Sequence, residues 1–235
     1  MAAETITWKG RFGPMELKVG KATFRPSTIS SLLAEAMDFE PGSTVVDVGT
    51  GSGILSIIAA KLGAGKVYGV DAAEETVEIA TANAEAHGVA DRVQFAQGDM
   101  FEPLDPQLEA DVVIGDVSGI PDQIANASGW FPSGLAGGPT GAELPMRMIE
   151  ESKRLLRKGG RLFLPTGSLQ DENSILDRAK AVFGSMRQLA ERHIPLPTSL
   201  AEDPAVVAML KEKVIALRQR GSRFLWTARI WEIEA

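Results

Sequence analysis

The sequence predicts an α/β protein whose central sheet is mostly parallel, with helices on both faces. Short apolar strands alternate with helical segments from residue 44 onwards, which is the pattern of βαβ units. A length of 235 residues suffices for one domain with a well-buried core. Residues 223–233 alternate apolar and polar side chains, as a half-exposed antiparallel strand does. We therefore expect seven strands, of which the last is antiparallel.

The individual elements follow from local periodicity and from the positions of glycine and proline. Residues 1–26 combine short alternating runs with Gly and Pro, which favours a hairpin or irregular arm. A short helix follows Pro26, with Ser27 or Thr28 as its cap. The predicted strands cover residues 45–48, 66–70, 92–96, 111–114, 161–164, 186–194 and 223–233. The predicted helices cover residues 53–62, 74–87, 142–157, 172–183 and 204–219.

These elements predict a single domain over residues 27–235, preceded by the arm. Residues 115–141 contain many Gly and Pro residues and are expected to form a long loop. A helical insertion is expected at about residues 195–221. No internal repeat is visible in the sequence.

Composition excludes several classes of function. The 24 Lys+Arg against 31 Asp+Glu give a net charge of −7, which makes nucleic acid an unlikely partner. The chain has no cysteine, so disulfides, thiolate metal sites and cysteine nucleophiles are excluded, and we expect no metal. Without a signal peptide or a long apolar run, we expect a cytoplasmic protein with no membrane partner.

The most informative motif is a glycine loop between a predicted strand and a predicted helix. It has the pattern Asp-x-Gly-x-Gly-x-Gly over residues 47–53. Glycines there let the backbone turn sharply and approach a ligand, and the helix start offers free N–H groups. Asp71 ends the next strand, where a carboxylate can accept hydrogen bonds from the ribose of an adenosine-type ligand.

A dinucleotide site is the first alternative for this loop. In the pattern G-x-G-x-x-G, the last glycine position is occupied by Ile54 when the pattern starts at Gly49 and by Ser56 when it starts at Gly51, so neither register fits. Asp47 would also disfavour a pyrophosphate, whereas it suits a cationic or zwitterionic ligand. A glycine-rich turn that binds nothing is the second alternative.

Three motifs together resemble the class I S-adenosylmethionine-dependent methyltransferases. They are the loop at residues 47–53, Gly-Val-Asp at 69–71, and Gln-Gly-Asp-Met at 97–100, in the order that this family has them. The resemblance covers about residues 24–166 and implies a Rossmann-like class I methyltransferase fold. It also implies S-adenosyl-L-methionine as the cofactor and S-adenosyl-L-homocysteine as its product.

The resemblance implies a set of cofactor-binding residues. Asp71 would bind the ribose hydroxyls, Asp99 the adenine amino group, and Met100 would lie against the ring. Asp47 would orient the loop near the methionine amino group. Arg25 would pair with the carboxylate of the donor, although a surface arginine is an equal alternative. The full set of predicted cofactor-binding residues is Arg25, Thr28, Asp47, Gly49, Thr50, Gly51, Gly53, Asp71, Ala72, Asp99, Met100 and Asp116.

Several stretches are similar to protein-(glutamine-N5), ribosomal-protein and protein-arginine methyltransferases, among them residues 24–27 and 98–104. One departure concerns the substrate. Amide-modifying members carry Asn-Pro-Pro-Tyr after the fourth strand, whereas residues 115–119 here read Gly-Asp-Val-Ser-Gly. We therefore expect an oxygen or nitrogen nucleophile of a small molecule as the acceptor. A protein side chain and a non-catalytic cofactor-binding protein are the alternatives.

Two residues are candidates for the catalytic role. Asp116 follows the fourth strand, where open α/β sheets place their reaction crevice, and His193 could act as a general base. A loop-capping aspartate and a structural histidine are the alternatives. Residues 211–223 contain five basic residues and one acid, which leaves an anionic substrate possible. Without cysteine, no thiolate can relay the methyl group, so direct in-line transfer is expected.

Overall fold

The structure is a computed structural model that describes residues 3–130 and 136–235. The chain forms two compact units. The first comprises Met1–Asp116, Glu151–Phe163 and Glu234–Ala235, and the second comprises Val117–Glu150 and Leu164–Ile233. The single domain over residues 27–235 stays a prediction. No helix in the described ranges is long and apolar enough to cross a membrane.

The chain begins with an antiparallel hairpin of β1 (Glu4–Trp8) and β2 (Met15–Val19). In β2 the apolar residues Met15, Leu17 and Val19 are buried, and the charged residues between them are exposed. This alternation is the period of a strand with one buried face. The hairpin form of the predicted arm is thus present over residues 4–19.

The sheet of the first unit is parallel throughout, in the order β5-β4-β3-β6-β7. The chain leaves β3 in one direction for β4 and β5 and then returns to the other side of β3 as β6. This reversal is the switch point at which open α/β sheets bind ligands. The strands are β3 (Thr44–Val48), β4 (Lys66–Asp71), β5 (Val93–Gln97), β6 (Ala110–Gly115) and β7 (Leu156–Gly167), whose last four residues belong to the second unit. The helices are α1 (Thr28–Ala36), α2 (Ile54–Lys61) and α3 (Glu74–Ala86).

The second unit contains an antiparallel arrangement at the end of the chain. β10 (Arg223–Glu234) pairs antiparallel with β8 (Met186–Leu196) and with β9 (Arg218–Arg220). The helices are α4 (Asp122–Ser128), α5 (Glu143–Leu155), which ends in the first unit, α6 (Glu172–Phe183), α7 (Thr198–Ala201) and α8 (Pro204–Lys211). The predicted α/β class and the antiparallel last strand are therefore confirmed.

Several details differ from the sequence prediction: the helix predicted over residues 142–157 ends at Leu155, and the strand predicted over 161–164 extends from Leu156 to Gly167. Besides the hairpin, the described residues contain eight strands instead of seven, because the three-residue β9 pairs with β10. The helix expected over residues 204–219 ends at Lys211, since Lys213 has a φ of 60° and Val214 N–H donates back to Met209. The long loop expected over 115–141 contains α4, and its residues 131–135 lie outside the described part of the chain.

Candidate active site

The glycine loop connects β3 to α2 through three residues in the left-handed region. Gly49, Gly51 and Gly53 have φ values of 72°, 52° and 79°, which disfavour any residue with a Cβ. The N–H groups of Gly49 and Thr50 both donate to the Val70 carbonyl, at 2.8 and 3.0 Å. The loop is thus tied to the end of β4, and its shape depends on these glycines.

Gly53 also allows a close approach between neighbouring elements. A Cβ built on it would lie 3.0 Å from the Ala80 Cβ and 3.1 Å from the Phe95 Cζ. These residues belong to α3 and β5, so Gly53 lets both pack against the start of α2. A side chain at this position would push the loop away from them.

Asp71 fixes the loop from the end of β4. Its Oδ2 accepts a hydrogen bond from the Gly51 N–H at 2.9 Å, and its Oδ1 accepts one from the Ala73 N–H, also at 2.9 Å. Each carboxylate oxygen retains a second lone pair for a ligand. Asp99 and Met100 follow the adjacent strand β5, and the Gly98 N–H donates to the Asp71 carbonyl at 3.0 Å. The structure therefore brings the three predicted motifs to one edge of the sheet.

Asp47 lies fully buried beneath the loop. Its Oδ2 accepts hydrogen bonds from the Ser56 hydroxyl at 2.6 Å and the Thr50 hydroxyl at 2.7 Å. Its Oδ1 is buried without a hydrogen-bond partner among the described residues. Burial raises the pKa of Asp47 to about 6, against the two hydroxyls that lower it, and nearby Asp116 raises it further.

Asp116 directly follows β6, beside the end of β3. Its Oδ2 accepts a hydrogen bond of 2.5 Å from the Ser30 hydroxyl. Burial raises the pKa of Asp116 to about 6, although the Ser30 bond lowers it. Ser30 is held by a capping box at the start of α1, in which the Ser27 N–H donates to the Ser30 hydroxyl.

A small cavity of the first unit lies between the loop and the segment that leads into α1. Its lining includes Asp116 and the predicted loop residues Gly49, Thr50 and Gly51. Sequence reasoning missed Ser30 as a site residue, and it did not predict the apolar side of this cavity. The further lining residues are Phe24, Pro26, Ser52, Ile54 and Leu55. Phe24 and Pro26 lie in residues 24–27, which carry part of the family resemblance. That resemblance was the one sequence feature that could have identified them as lining residues.

Three predicted site residues have other surroundings. Arg25 is exposed and forms an ion pair with Glu4. Thr28 is the exposed first residue of α1. His193 lies on β8 in the second unit, where its Nδ1 is 3.1 Å from the Thr227 hydroxyl. The roles of all three stay predictions, as do those of the other predicted site residues.

The strand order and the glycine loop define the class of protein as one with the Rossmann-like class I methyltransferase fold. Solved structures of methyltransferases share this fold. The 16S rRNA N2 G1207 methyltransferase of Thermus thermophilus, in complex with AdoMet and guanosine, matches with a TM-score of 0.63 at 16% identity, over all of this chain and 51% of that one. A ribosomal protein L11 methylase of Lactobacillus delbrueckii matches with a TM-score of 0.51 at 19% identity, over 88% of this chain and 78% of that one.

Comparison with related sequences shows which methyltransferases this chain resembles. Residues 24–119 match the family model of the ribosomal protein L11 methyltransferase, PrmA. The ribosomal protein L11 methyltransferase of Pelotomaculum thermopropionicum is 41% identical over 49% of this chain and 36% of its own length. A release factor glutamine methyltransferase of Rhodopirellula baltica is 31% identical over 80% of this chain and 65% of its own length. The predicted resemblance is confirmed: over residues 24–119 the chain is similar to PrmA-like class I S-adenosylmethionine-dependent methyltransferases.

The relatives also differ from this chain in extent. The chain spans little more than a third of two ribosomal protein L11 methyltransferases, at 36% and 38% of their lengths. By contrast, it spans 90% of a protein of Methanocaldococcus jannaschii described as a putative protein N5-glutamine methyltransferase, at 27% identity. The match to the family model, over residues 24–119, includes the glycine loop and Asp71.

Proposed function

We propose that this protein binds S-adenosylmethionine at the glycine loop and transfers its methyl group to a side chain of a protein. The observation that supports the proposal most directly is the position of Asp71 at the edge of the sheet. Its carboxylate accepts a hydrogen bond from the Gly51 N–H at 2.9 Å, and each of its oxygens retains a lone pair that a ligand can use. The family match over residues 24–119 supports the cofactor and the reaction.

The residues at the loop fit this cofactor. Asp71 would accept hydrogen bonds from the ribose hydroxyls, beside Ala72. Asp99 would hold the adenine amino group, and the buried Met100 would lie against the ring. The three left-handed glycines leave the backbone open to the methionine part, because no Cβ stands there.

The buried carboxylate of Asp47 and the partly buried carboxylate of Asp116 suit the charge of the ligand. Asp47 and Asp116 are raised in pKa to about 6 by burial, so each gains from a nearby positive charge. The unpartnered Asp47 Oδ1 is an acceptor that the described protein leaves unused. An α-ammonium group near this pair would stabilise both carboxylates in their ionised form.

The bound cofactor supplies a methyl group that is already activated on a sulfonium. The protein then needs to orient a nucleophile and, where that nucleophile carries a proton, to accept it. Asp116 lies at the carboxyl end of β6 on the cavity, and Ser30 fixes its carboxylate. We assign to Asp116 the positioning of the acceptor or of the donor ammonium group.

Relatives favour a protein substrate over the small molecule that the sequence led us to expect. Their names give ribosomal protein L11 and release factor as substrates. The missing Asn-Pro-Pro-Tyr motif argues against an amide acceptor held as in the glutamine enzymes. We therefore propose a protein side chain that carries an N–H or O–H nucleophile outside that amide class.

A labelled-methyl transfer experiment tests this proposal. The protein is incubated with methyl-labelled S-adenosylmethionine and a cell extract, which is then separated by size and treated with protease or ribonuclease. Label in a protease-sensitive fraction, absent with Asp71→Ala, is the expected result. Label in the small-molecule fraction would return the acceptor to a small molecule. No transfer despite cofactor binding would leave a non-catalytic binding protein.

A further inference from the structure

Three arginines of the second unit lie on one face of an antiparallel arrangement of strands. Arg218 lies opposite Leu225, and Arg220 lies opposite Arg223 across the β9–β10 pair. Thr227 continues the same face of β10 and lies opposite His193 of β8. A cavity on this face is lined by Arg218, Arg220, Arg223, Leu225 and His193. We call these five residues together the arginine face.

The arginine face carries positive charge that the described residues leave uncompensated. None of Arg218, Arg220 and Arg223 forms an ion pair within residues 3–130 and 136–235. Arg229 of the same strand, by contrast, pairs with Glu172 at 2.6 Å and with Glu191 at 2.9 Å. Arg229 is thus neutralised by acidic partners, whereas Arg218, Arg220 and Arg223 have none among the described residues.

The cross-strand pair of Arg220 and Arg223 is unfavourable by itself. Like charges directly opposite each other on neighbouring strands destabilise a sheet. His193 cannot compensate this charge, because an imidazole side chain carries no negative charge. Its Nδ1 contacts the Thr227 hydroxyl and its Nε2 lies 3.4 Å from an Arg218 Nη. Glu191, whose carboxylate is 3.9 Å from His193, is held by Arg229. An anion bound at the arginine face would remove this cost.

We infer that the arginine face binds an acidic, extended segment of the protein substrate. Guanidinium groups recognise carboxylates through paired hydrogen bonds. Arg218 and Arg220 are two residues apart on one strand, a separation of about 6.6–6.8 Å. Acidic side chains at alternate positions of an extended peptide repeat at the same distance, so the two sets match. The inference rests on the proposed function for the identity of the partner.

Two observations favour a peptide over nucleic acid on this face. Binding sites for single strands use several aromatic side chains on which successive bases stack, whereas the residues that line this cavity include one aromatic ring, that of His193, and no Phe, Tyr or Trp. The chain as a whole carries a charge of −7, which opposes contact with a long polyanion beyond the cluster. Leu225 instead offers an apolar floor to the stem of a Glu side chain.

A binding measurement with defined probes tests the inference. Fluorescein-labelled oligoglutamate and an oligouridylate of equal charge are titrated with the full chain in low salt, and fluorescence anisotropy is recorded. The test variant carries Arg220→Gln and Arg223→Gln. The matched control carries Lys180→Gln and Arg192→Gln, which remove the same charge from exposed positions of the same unit. Thermal unfolding of both variants is measured alongside.

The expected result is saturable binding of oligoglutamate that weakens at least tenfold in the test variant and less than threefold in the control. The melting temperature of the test variant should equal or exceed that of the parent, because the opposed charges are gone. No binding of oligoglutamate, or equal losses in both variants, would overturn the inference. Preference for oligouridylate would assign the face to nucleic acid instead. The probe binds without cofactor, so this outcome is separate from S-adenosylhomocysteine binding, which tests the proposed function.

Discussion

The Ser30 hydroxyl donates a 2.5 Å hydrogen bond to the Asp116 carboxylate, across 86 residues of sequence. This bond joins the capping box of α1 to the end of β6, on the wall of the cavity beside the glycine loop. It stabilises the ionised form of a carboxyl whose pKa burial raises to about 6. The bond therefore links the stability of the site to pH.

Replacing Ser30 by Ala should cost more stability at pH 8 than at pH 5. The loss of the capping contact costs about 1 kcal/mol at either pH. The loss of the bond to the charged Asp116 adds about 1.5–3 kcal/mol where that group is ionised. Urea unfolding at the two pH values measures the difference. Ser31→Ala, on the same helix, is the control, and an equal cost of Ser30→Ala at both pH values would contradict the prediction.

Asp47 should lower the stability of the free protein as pH rises. Its pKa is higher in the folded state, at about 6, than the ordinary 3.8. The stability that the protonated Asp47 contributes is therefore fully present below pH 4 and is lost as the pH rises through 6. The difference corresponds to at most about 3 kcal/mol. Asp47→Asn resembles the neutral acid, so this variant should be more stable than the parent at pH 8 and similar to it only near pH 4, where the carboxyl of the unfolded parent is also largely protonated. Unfolding free energies at both pH values decide, and a variant less stable at pH 8 would refute this account of Asp47.

Cofactor binding should strengthen as pH rises through 6. Burial raises the pKa of both Asp47 and Asp116 to about 6, and a ligand ammonium group favours their ionised forms. We expect S-adenosylhomocysteine to bind about tenfold more weakly at pH 5 than at pH 8, with release of protons on binding at pH 6. Calorimetry in two buffers of different ionisation enthalpy measures both. An affinity that is flat with pH would mean that neither carboxylate faces the ligand charge.

Gly53 should tolerate alanine less well than another glycine of the same backbone conformation. Gly53 has a φ of 79° and neighbours at 3.0 and 3.1 Å from an added Cβ, whereas Gly88 has a φ of 69° and open space. Gly88→Ala should cost about 1–2 kcal/mol from backbone strain alone. Gly53→Ala should cost at least about 1 kcal/mol more, and it should also weaken S-adenosylhomocysteine binding. Equal costs in unfolding experiments would show that packing at Gly53 is not tight.

The parts of the fold that depend on local sequence patterns could be predicted from the sequence. Strand periodicity located β3 and β4, and their parallel pairing brings Asp71 within 2.9 Å of the Gly51 N–H as the carboxyl ends meet. The Ser30–Asp116 bond could not be predicted, because its partners are distant in sequence and neither belongs to a periodic pattern. The end of α8 was missed for a related reason. Basic residues continue its helical pattern, and the backbone turn at Lys213 leaves no strong local signal.

We propose that Asp71 and the glycine loop bind S-adenosylmethionine. Calorimetric titration of S-adenosylhomocysteine into the parent, Asp71→Ala and the exposed control Asp91→Ala tests it most directly. We expect binding by the parent and the control, and an affinity at least tenfold lower for Asp71→Ala in a variant that still unfolds cooperatively. No binding by the parent at hundreds of micromolar ligand, or unchanged binding by Asp71→Ala, would contradict it.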